Sequence, residues 1–150
     1  MKRKTDIFPI GRLCVTAVDS KVVSILPSDE DFDDGNELLD SVISQLHEYF
    51  DGRRKTFDFD IGYTFGTEFY KKVWDALRTV PYWLTVTFGQ LADAVGCHGG
   101  ARAGGNAVHL NPVLIVNPCH RVVAAGGKLG GFAFGAQMKQ ELLELEEKNK

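Results

Sequence analysis

The chain has 150 residues, of which 44% are hydrophobic and 25% charged, and its formal net charge is −3. These fractions are typical of a globular protein with one domain or two small ones, and they exclude an intrinsically disordered chain. No apolar run approaches the roughly 18 residues that a membrane-spanning helix requires, and the basic residues at the start are not followed by the apolar block of an export signal.

The first part of the chain carries the patterns of a small α/β domain, which we expect to span residues 1–62. Two short runs rich in Val, Ile and Leu predict a β-hairpin with strands at Leu13–Val18 and Val22–Leu26. Apolar residues then recur at helical spacing over residues 36–51, which predicts an amphipathic helix. Alternation from Phe57 to Ile61 predicts one further strand.

The next part of the chain has the pattern of short helices. Thr67 is a candidate N-cap of a first helix, and the run from Thr87 to Gln90 has the form of a capping box at the start of a second. A third helix, from about residue 99 to 109, is stopped by the pair Asn111-Pro112, because a residue before proline disfavours the helical region. Three short helices with tight connections predict a helix-turn-helix.

The rest of this second domain, which we expect to span residues 63–150, combines a strand, a glycine-rich segment and a helix. Val113–Val116 predicts a short buried strand, and residues 124–135 are rich in glycine. A final helix is expected from Gln137 to about Lys148. At 100° per residue, its apolar stripe consists of Met138, Leu142 and Leu145.

Charge is distributed unevenly along the chain. Residues 1–75 carry 10 basic and 15 acidic side chains, residues 76–150 carry 7 and 5, and no acidic residue lies between Asp93 and Glu141. A polyanion such as a nucleic acid can approach a surface of this kind without like-charge repulsion. The alternative is that a segment rich in Gly and Ala simply has few charges of either sign.

The third predicted helix is unusual because four glycines lie between residues 99 and 105. Each interior glycine costs a helix about 1 kcal/mol relative to alanine. Small side chains let a backbone come close to a minor groove, and Arg102 is then the one long cationic side chain that projects from the helix. Close helix packing with Arg102 on a solvated face, or a loop in place of the helix, explains the glycines equally well.

The strongest candidate for chemistry is Cys119, which lies between Pro118 and His120. A thiolate is a nucleophile, and a nearby imidazole can take the proton of the thiol. In an extended segment the two side chains point to opposite faces, so His120 serves Cys119 only at a turn or through a water. A third group usually orients such a histidine, and both Glu141 and Glu146 flank the apolar stripe of the final helix. The alternative is a buried structural cysteine.

Cysteine and histidine usage does not support disulfides or a structural metal. The chain has three cysteines, an odd number, without a C-x-x-C pair, so a reducing, cytoplasmic location is expected. Candidate metal ligands are Cys97, His98, His109, Cys119 and His120. Because they lack the paired spacing of structural zinc sites, no metal is expected.

At Pro118–Val122 the chain carries the motif Pro-Cys-His-Arg-Val, and further motifs lie around it. They are Gly66-Thr67, Val73-Trp74-Asp75-Ala76-Leu77, Gly89-Gln90-Leu91-Ala92, Ala101-Arg102-Ala103, Asn111-Pro112, and Lys139 with Leu142-Leu143 ahead of Glu146. With this set in register, residues 66–146 resemble the O6-alkylguanine-DNA alkyltransferases, also called methylated-DNA–protein-cysteine methyltransferases. The N-terminal part is similar to the family only in its layout.

The resemblance implies an α/β fold, with a small ribonuclease-H-like N-terminal domain and a C-terminal winged helix-turn-helix-like alkyltransferase domain. It implies direct-reversal DNA repair, in which Cys119 takes the alkyl group of O6-alkylguanine in double-stranded DNA once, irreversibly and without a cofactor. It also implies that His120 deprotonates the thiol through a water, that Glu146 orients His120, and that Asn111 is a hinge beside the active-site segment. A monomer is expected.

The resemblance further implies that the target base leaves the duplex, because chemistry on a base inside the stack is blocked. Arg102 is then the finger that fills the vacated space, and its helix lies in the minor groove. The other residues expected at the DNA are Phe88, Ala101, Gly105 and Arg121. The residues expected at the substrate pocket are Val122, Phe132, Ala133, Phe134 and Trp83.

Several of these positions depart from the family pattern. Phe88 and Phe132 stand where tyrosine is usual, and Trp83 replaces a usual glycine. Ala133 and Phe134 lie in a loop where small or hydroxylated residues are usual. We predict that Phe134 narrows the pocket and disfavours bulky adducts.

Three other classes of protein compete with this interpretation. The first is a non-catalytic sensor of alkylated DNA, which would lack the reactive Cys119. The second is a helix-turn-helix regulator that only binds DNA and needs no Cys-His pair with a distant Glu. The third is a cysteine hydrolase, whose nucleophile is normally separate in sequence from its histidine.

Overall fold

The computed structural model describes all residues from 1 to 150 and contains two compact units. The first unit comprises Met1–Thr64 and Pro112–Leu114, and the second comprises Phe65–Asn111 and Ile115–Lys150. None of the helices has the length and apolar character needed to cross a membrane. The expected α/β fold, with a sheet in the N-terminal unit and mainly helices in the C-terminal unit, is confirmed.

The first unit is built on an antiparallel sheet with the strand order β1-β2-β3. Its strands are β1 (Lys2–Phe8), β2 (Gly11–Val18) and β3 (Lys21–Pro27). The predicted hairpin corresponds to β2 and β3 and is confirmed. The sequence does not predict β1, because this edge strand carries charged residues that hide its alternation.

Helix α1 (Glu37–Phe50) packs against β1 and β2 and confirms the helix predicted over residues 36–51. It begins at Asn36, whose side-chain oxygen accepts the backbone N–H of Leu39 at 3.1 Å. Its buried apolar residues are Leu39, Val42, Ile43, Leu46 and Tyr49. Burying side chains of this size contributes about 1.5–3 kcal/mol each, so this face holds the helix on the sheet.

The strand predicted from Phe57 to Ile61 is wrong. Only Ile61 forms a bridge, to Val22 of β3, and a regular ladder does not develop. The backbone N–H of Asp58 instead donates to the side chain of Gln45 on α1 at 2.9 Å. A helix side chain therefore takes a donor that a strand would use for its ladder, which periodicity in a single segment does not reveal.

The second unit contains four helices and a two-stranded parallel sheet. The helices are α2 (Glu68–Leu77), α3 (Phe88–Ala94), α4 (Ala101–His109) and α5 (Ala136–Lys148), and the strands are β4 (Val86–Thr87) and β5 (Val122–Val123). Helix α4 packs against both α2 and α3, as in the predicted helix-turn-helix. The helix predicted over residues 99–109 and the final helix are confirmed.

The predicted caps of these helices are also confirmed. The hydroxyl of Thr67 accepts the N–H of Tyr70 at 3.1 Å and starts α2. At α3, Thr87 and Gln90 form a reciprocal capping box with bonds of 2.8 and 3.1 Å. Gly96 follows α3 with a φ of +80°, a conformation that glycine adopts without steric cost.

Two expectations for the last third of the chain are wrong. Residues 113–116 are buried but form no strand, because only Val113 makes a bridge and Ile115 has a φ of +73°. On α5, only Leu142 of the three predicted stripe residues is buried, together with Lys139 and Glu146. The inner face of α5 is therefore set by buried charged groups and not by its apolar stripe.

Candidate active site around Cys119

The segment after Pro118 forms a tight buried turn that carries the predicted nucleophile. Cys119–Arg121 is a 3-10 turn, closed by a bond from the N–H of Arg121 to the carbonyl of Pro118 at 2.9 Å. Cys119 is 4% exposed and His120 is fully buried. The turn removes the constraint of an extended chain, in which the two neighbouring side chains would point to opposite faces.

Cys119 opens on a cavity of about 360 Å³ in the second unit. The lining residues are Phe88, Ala101, Arg102, Gly105, Val108, His109, Asn111, Cys119, Gly131, Phe132, Ala133 and Phe134. Most of this lining is apolar or aromatic, and Arg102 is the one permanently charged residue in it. The cavity therefore suits a flat aromatic group that enters beside a cation and reaches a thiol.

Glu146 on α5 accepts hydrogen bonds at both of its oxygens. Oε1 accepts the Nε–H of Arg121 at 2.8 Å and the backbone N–H of Trp83 at 2.9 Å. Oε2 accepts Arg121 again at 3.1 Å and Nε2 of His120 at 2.5 Å. Burial raises the pKa of Glu146, but the bonds and charges of His120 and Arg121 outweigh burial and lower it, so this carboxylate is ionised.

The position of Glu146 decides which nitrogen of His120 is basic. A carboxylate only accepts, so Nε2 carries the proton and Nδ1 presents its lone pair. Nδ1 is buried and has no hydrogen-bond partner within the protein. Burial lowers the pKa of His120 below its usual range, which keeps the ring neutral and able to take a proton at neutral pH.

The thiol of Cys119 is held in its protonated form. Burial raises its pKa to about 11, while a hydrogen bond with Asn111 and the charge of Lys139 act in the opposite direction. Spontaneous ionisation at neutral pH is therefore rare. The thiol needs a base within the site in order to react as a thiolate.

Asparagines fix the segment that leads into the turn. The side-chain amide of Asn111 donates to the carbonyl of Asn117 at 2.9 Å, and the amide of Asn117 donates back at 3.2 Å. Arg78, just after α2, donates to the side chain of Asn117 at 2.6 Å. The sequence analysis predicts Asn111 at this place but not Asn117 or Arg78. The only signal for Asn117 in the sequence is that a polar residue directly follows the apolar run 113–116.

Lys139 is buried inside the second unit and is not on a surface that could contact DNA. It is fully buried on α5, and its ammonium donates to the carbonyls of Val122 at 2.5 Å and Gly131 at 3.2 Å. Its Nζ also lies 5.5 Å from the centre of the Phe88 ring. Burial lowers its pKa. The segment between Asp93 and Glu141, which has no acidic residue, thus offers DNA fewer cations than its composition suggests. Of its Arg and Lys residues, only Arg102 and Lys128 are exposed.

The structure differs from the expectation at two of the predicted positions. Arg121 is 6% exposed and its guanidinium binds Glu146 and the carbonyl of Val80, so it is not available to DNA. Trp83 lies in a separate groove with its ring 4.7 Å from the Lys150 ammonium, and not in the cavity beside Cys119. Val122, whose main chain is expected to contact the guanine, is fully buried directly after the turn, and a contact of its main chain with a base stays a prediction.

The backbone at Trp83 has a conformation that glycine adopts without steric cost. Trp83 has a φ of +62°, in the left-handed region that costs an L-residue about 1–2 kcal/mol. This conformation aims its N–H at Glu146. Nine of the other predicted residues line the cavity, whereas His120 and Glu146 form a hydrogen-bonded pair and do not line it.

The candidate metal ligands do not converge. No group of three or more His, Cys, Asp or Glu side chains is placed to hold a metal ion. A buried thiol that opens on a cavity, followed in the chain by an imidazole bound to an ionised carboxylate, is instead the arrangement expected of a protein with a cysteine nucleophile.

Comparison with known proteins assigns the chain to a family. Residues 68–148 match the DNA-binding domain of 6-O-methylguanine DNA methyltransferases, and residues 1–63 match their ribonuclease-like domain. The methylated-DNA–protein-cysteine methyltransferase of Mycolicibacterium paratuberculosis is 36% identical over 148 residues, covering 94% of this chain and 89% of that protein. The enzyme of the same name from Methanosarcina acetivorans is 43% identical over 113 residues, covering 75% of this chain and 72% of that protein.

Solved structures agree with these sequence matches. The structure of Mycobacterium tuberculosis OGT in complex with DNA superposes with a TM-score of 0.92 and 36% identity, covering 99% of this chain and 94% of that chain. The chain therefore belongs to the methylated-DNA–protein-cysteine methyltransferase family. It is an enzyme of direct-reversal DNA repair, and the enzyme names of its relatives favour this over a non-catalytic sensor.

Proposed function

We propose that Cys119 accepts the alkyl group of O6-alkylguanine in double-stranded DNA, with His120 as the base and Glu146 as the group that orients it. The observation that carries this proposal is the hydrogen bond from Nε2 of His120 to Glu146, in the residue that follows a cysteine open to an apolar cavity. It leaves a free lone pair on the buried Nδ1 of His120, one residue after a thiol that does not ionise by itself.

The proposed reaction is a single displacement. The proton of the Cys119 thiol passes through a water to Nδ1 of His120, and the sulfur attacks the alkyl carbon. The bond between that carbon and guanine O6 breaks, and O6 keeps the electron pair. The proton returns from the imidazolium to the guanine anion, so that charge and protons balance. The products are S-alkylcysteine and guanine, and because no step regenerates the thiol, each molecule acts once without a cofactor.

The surface around the cavity fits a flipped base in an opened duplex. Arg102 is exposed at the cavity on α4, where it can occupy the space that the base leaves. A methyl group added at Gly104 or Gly105 would meet only ordinary contacts of 3.6 Å with α3. Packing within the protein therefore does not require glycine at these two positions, whereas close approach to a DNA groove benefits from it.

A variant of Arg102 tests this role. Arg102→Ala is expected to slow transfer from duplex DNA by about tenfold to a hundredfold, because extruding a base costs a few kcal/mol. Transfer from the free base O6-methylguanine, which needs no extrusion, should be unchanged. Lys128→Ala removes an exposed charge outside the cavity lining and is the control. An equal loss with both substrates would contradict the role of Arg102 in base flipping.

The cavity wall near Phe134 sets the size of the adduct. Phe132 and Phe134 lie edge to face with ring centres 6.2 Å apart, and both line the cavity. Neither they nor Phe88 present a hydroxyl group to the base. We propose that this aromatic wall favours methyl over bulky groups.

Rates with two adducts test this wall. The protein is expected to react more slowly with O6-benzylguanine than with O6-methylguanine in the same duplex, and Phe134→Ala should raise the benzyl rate by about tenfold, ~1.4 kcal/mol in the barrier. The methyl rate should stay nearly constant. Leu84→Ala, an exposed apolar residue in another groove, is the matched control. Equal benzyl and methyl rates in the unaltered protein would refute the selectivity.

The remaining proposals concern organisation and location. We propose a ribonuclease-H-like domain over residues 1–62 and a DNA-binding and alkyltransferase domain over residues 63–150. We also propose that the protein acts as a monomer. A cytoplasmic location is supported by the three free cysteines and by the need for a reduced thiol at Cys119.

Intact mass tests the proposed reaction. After mixing with a duplex that contains one O6-methylguanine, the protein should gain one methyl group, mapped to Cys119, and then stop. The duplex should retain an intact guanine. A duplex that stays bound without any change in the mass of the protein would leave a lesion-binding protein and overturn the proposal.

A further inference from the structure

Arg121 is predicted from the sequence as a DNA contact, but the structure places it in a buried cluster around the base. It lies between Glu146 of α5, His120 and Cys119 of its own turn, and the ring of Tyr82. Its guanidinium makes two bonds to Glu146 and one, of 2.8 Å, to the carbonyl of Val80. Each of its three nitrogens donates one hydrogen bond, and we expect the guanidinium to act on the site through Glu146.

We propose that Arg121 is a positioning residue that keeps His120 neutral, by serving as the permanent counter-ion of Glu146. This inference rests on the proposed role of His120 as the base. Without Arg121, the buried carboxylate of Glu146 has one neighbour within hydrogen-bond distance that can supply the opposite charge, namely the imidazole. With Arg121, the charge of Glu146 is already balanced, and an imidazolium would be an additional buried cation.

The surroundings of His120 support this account from each element packed around it. Glu146 and Lys139 act on it from α5 and Arg121 from its own turn, while Tyr82, from the segment after α2, lies near Glu146 and Arg121. Burial is the main reason why the pKa of His120 is low, and the positive charges of Arg121 and Lys139 lower it further against the effect of Glu146. Arginine suits this task because it does not lose its proton in proteins.

The charge state matters because it decides whether Nδ1 can accept a proton. A neutral ring that donates from Nε2 to Glu146 has a free lone pair at Nδ1. A protonated ring has N–H at both positions and cannot deprotonate Cys119. Loss of the charge of Arg121 therefore raises the pKa of His120 and moves the acid limb of the pH–rate profile to higher pH.

The test compares Arg121→Gln, which keeps donors but removes the charge, with Arg121→Lys, which keeps the charge. Single-turnover methyl transfer from a duplex with one O6-methylguanine is measured across pH. In the Gln variant, the midpoint of the acid limb of the pH–rate profile should rise by about one pH unit or more. Below that midpoint, the transfer rate of this variant should fall by about a further tenfold. The Lys variant should keep a midpoint close to that of the unaltered protein, although its maximum rate can fall.

Other outcomes separate this inference from the alternatives. An equal loss at every pH, with the midpoint unchanged in the Gln variant, would mean a purely structural role and overturn the inference. Weaker duplex binding in the Cys119→Ser background, without a shifted midpoint, would restore Arg121 as a DNA contact. If the unaltered protein transfers no methyl group, the proposed function fails independently.

A direct measurement covers the case in which the Gln variant does not fold. In the unaltered protein, nitrogen NMR of His120 at neutral pH should show the neutral ring protonated at Nε2. An imidazolium at neutral pH would overturn the inference without any variant.

Discussion

Replacing Cys119 with serine is expected to abolish methyl transfer while binding of the methylated duplex persists. The thiol lies at the base of the cavity, 4% exposed, and sulfur is the atom proposed to form the new bond to carbon. A serine hydroxyl ionises far less readily than a thiol, so His120 cannot convert it into an effective nucleophile. The shape of the cavity and the exposed Arg102 stay the same, which preserves recognition of the flipped base.

Intact mass and duplex affinity measured on the same preparation check this prediction. The serine variant should show no methyl increment and an affinity for the lesion within a few-fold of the unaltered protein. Cys97→Ser is the matched control, because Cys97 is a half-buried free cysteine outside the cavity lining, and it should react at the full rate. A methyl group transferred to the Cys119→Ser variant would place the acceptor elsewhere in the chain.

Replacing Glu146 with glutamine is the second change with a large expected effect, on both rate and stability. Glutamine can present an N–H towards His120, so the ring is no longer required to hold its proton at Nε2. We expect methyl transfer to slow by about 10²–10⁴-fold, the range that a positioned base contributes. Removing the carboxylate also leaves the buried charge of Arg121 without a counter-ion, which should destabilise the fold by about 3–5 kcal/mol.

Quenched single-turnover kinetics measure the rate of methyl transfer, and denaturant unfolding measures the stability of the variant separately. The exposed neighbour Glu147 pairs only with Lys150 at the surface, and Glu147→Gln should therefore change neither quantity appreciably. A Glu146→Gln variant that is destabilised but reacts at the normal rate would remove Glu146 from the proposed reaction. A variant with normal stability would contradict the buried ion pair with Arg121 as described.

Local features of the fold are predicted well from the sequence because they depend on neighbours in the chain. The hairpin β2-β3, the amphipathic helix α1 and the capping box at Thr87 follow from alternation, helical spacing and side-chain bonds over three residues. The failures are segments whose backbone partners are distant. Residues 57–61 and 113–116 have the composition of strands, but their donors and acceptors are taken by side chains or by a single bridge.

The same distinction applies to the candidate site. Cys119 and His120 are adjacent in sequence, and their chemistry and the surrounding motifs point to an alkyltransferase before any coordinates are known. Helical spacing leaves Glu141 and Glu146 open, and only the family resemblance selects Glu146 before the structure is known. Glu146 is fully buried and bound to His120, whereas Glu141 is only partly buried and bonds to Gln137 on its own helix.

By itself, the sequence determined the candidate nucleophile, its neighbouring candidate base, the helix-turn-helix pattern and the family of this protein, because these are properties of residue type and of short spacing. Only the tertiary structure decided the surroundings of the base. In the structure, Arg121 binds Glu146, 25 residues away in the chain, and does not lie at the DNA surface. The N–H of Trp83 donates to the same carboxylate from 63 residues away. A buried charge is tolerated only where other segments supply its partners. No local sequence pattern predicts which distant residues will be those partners.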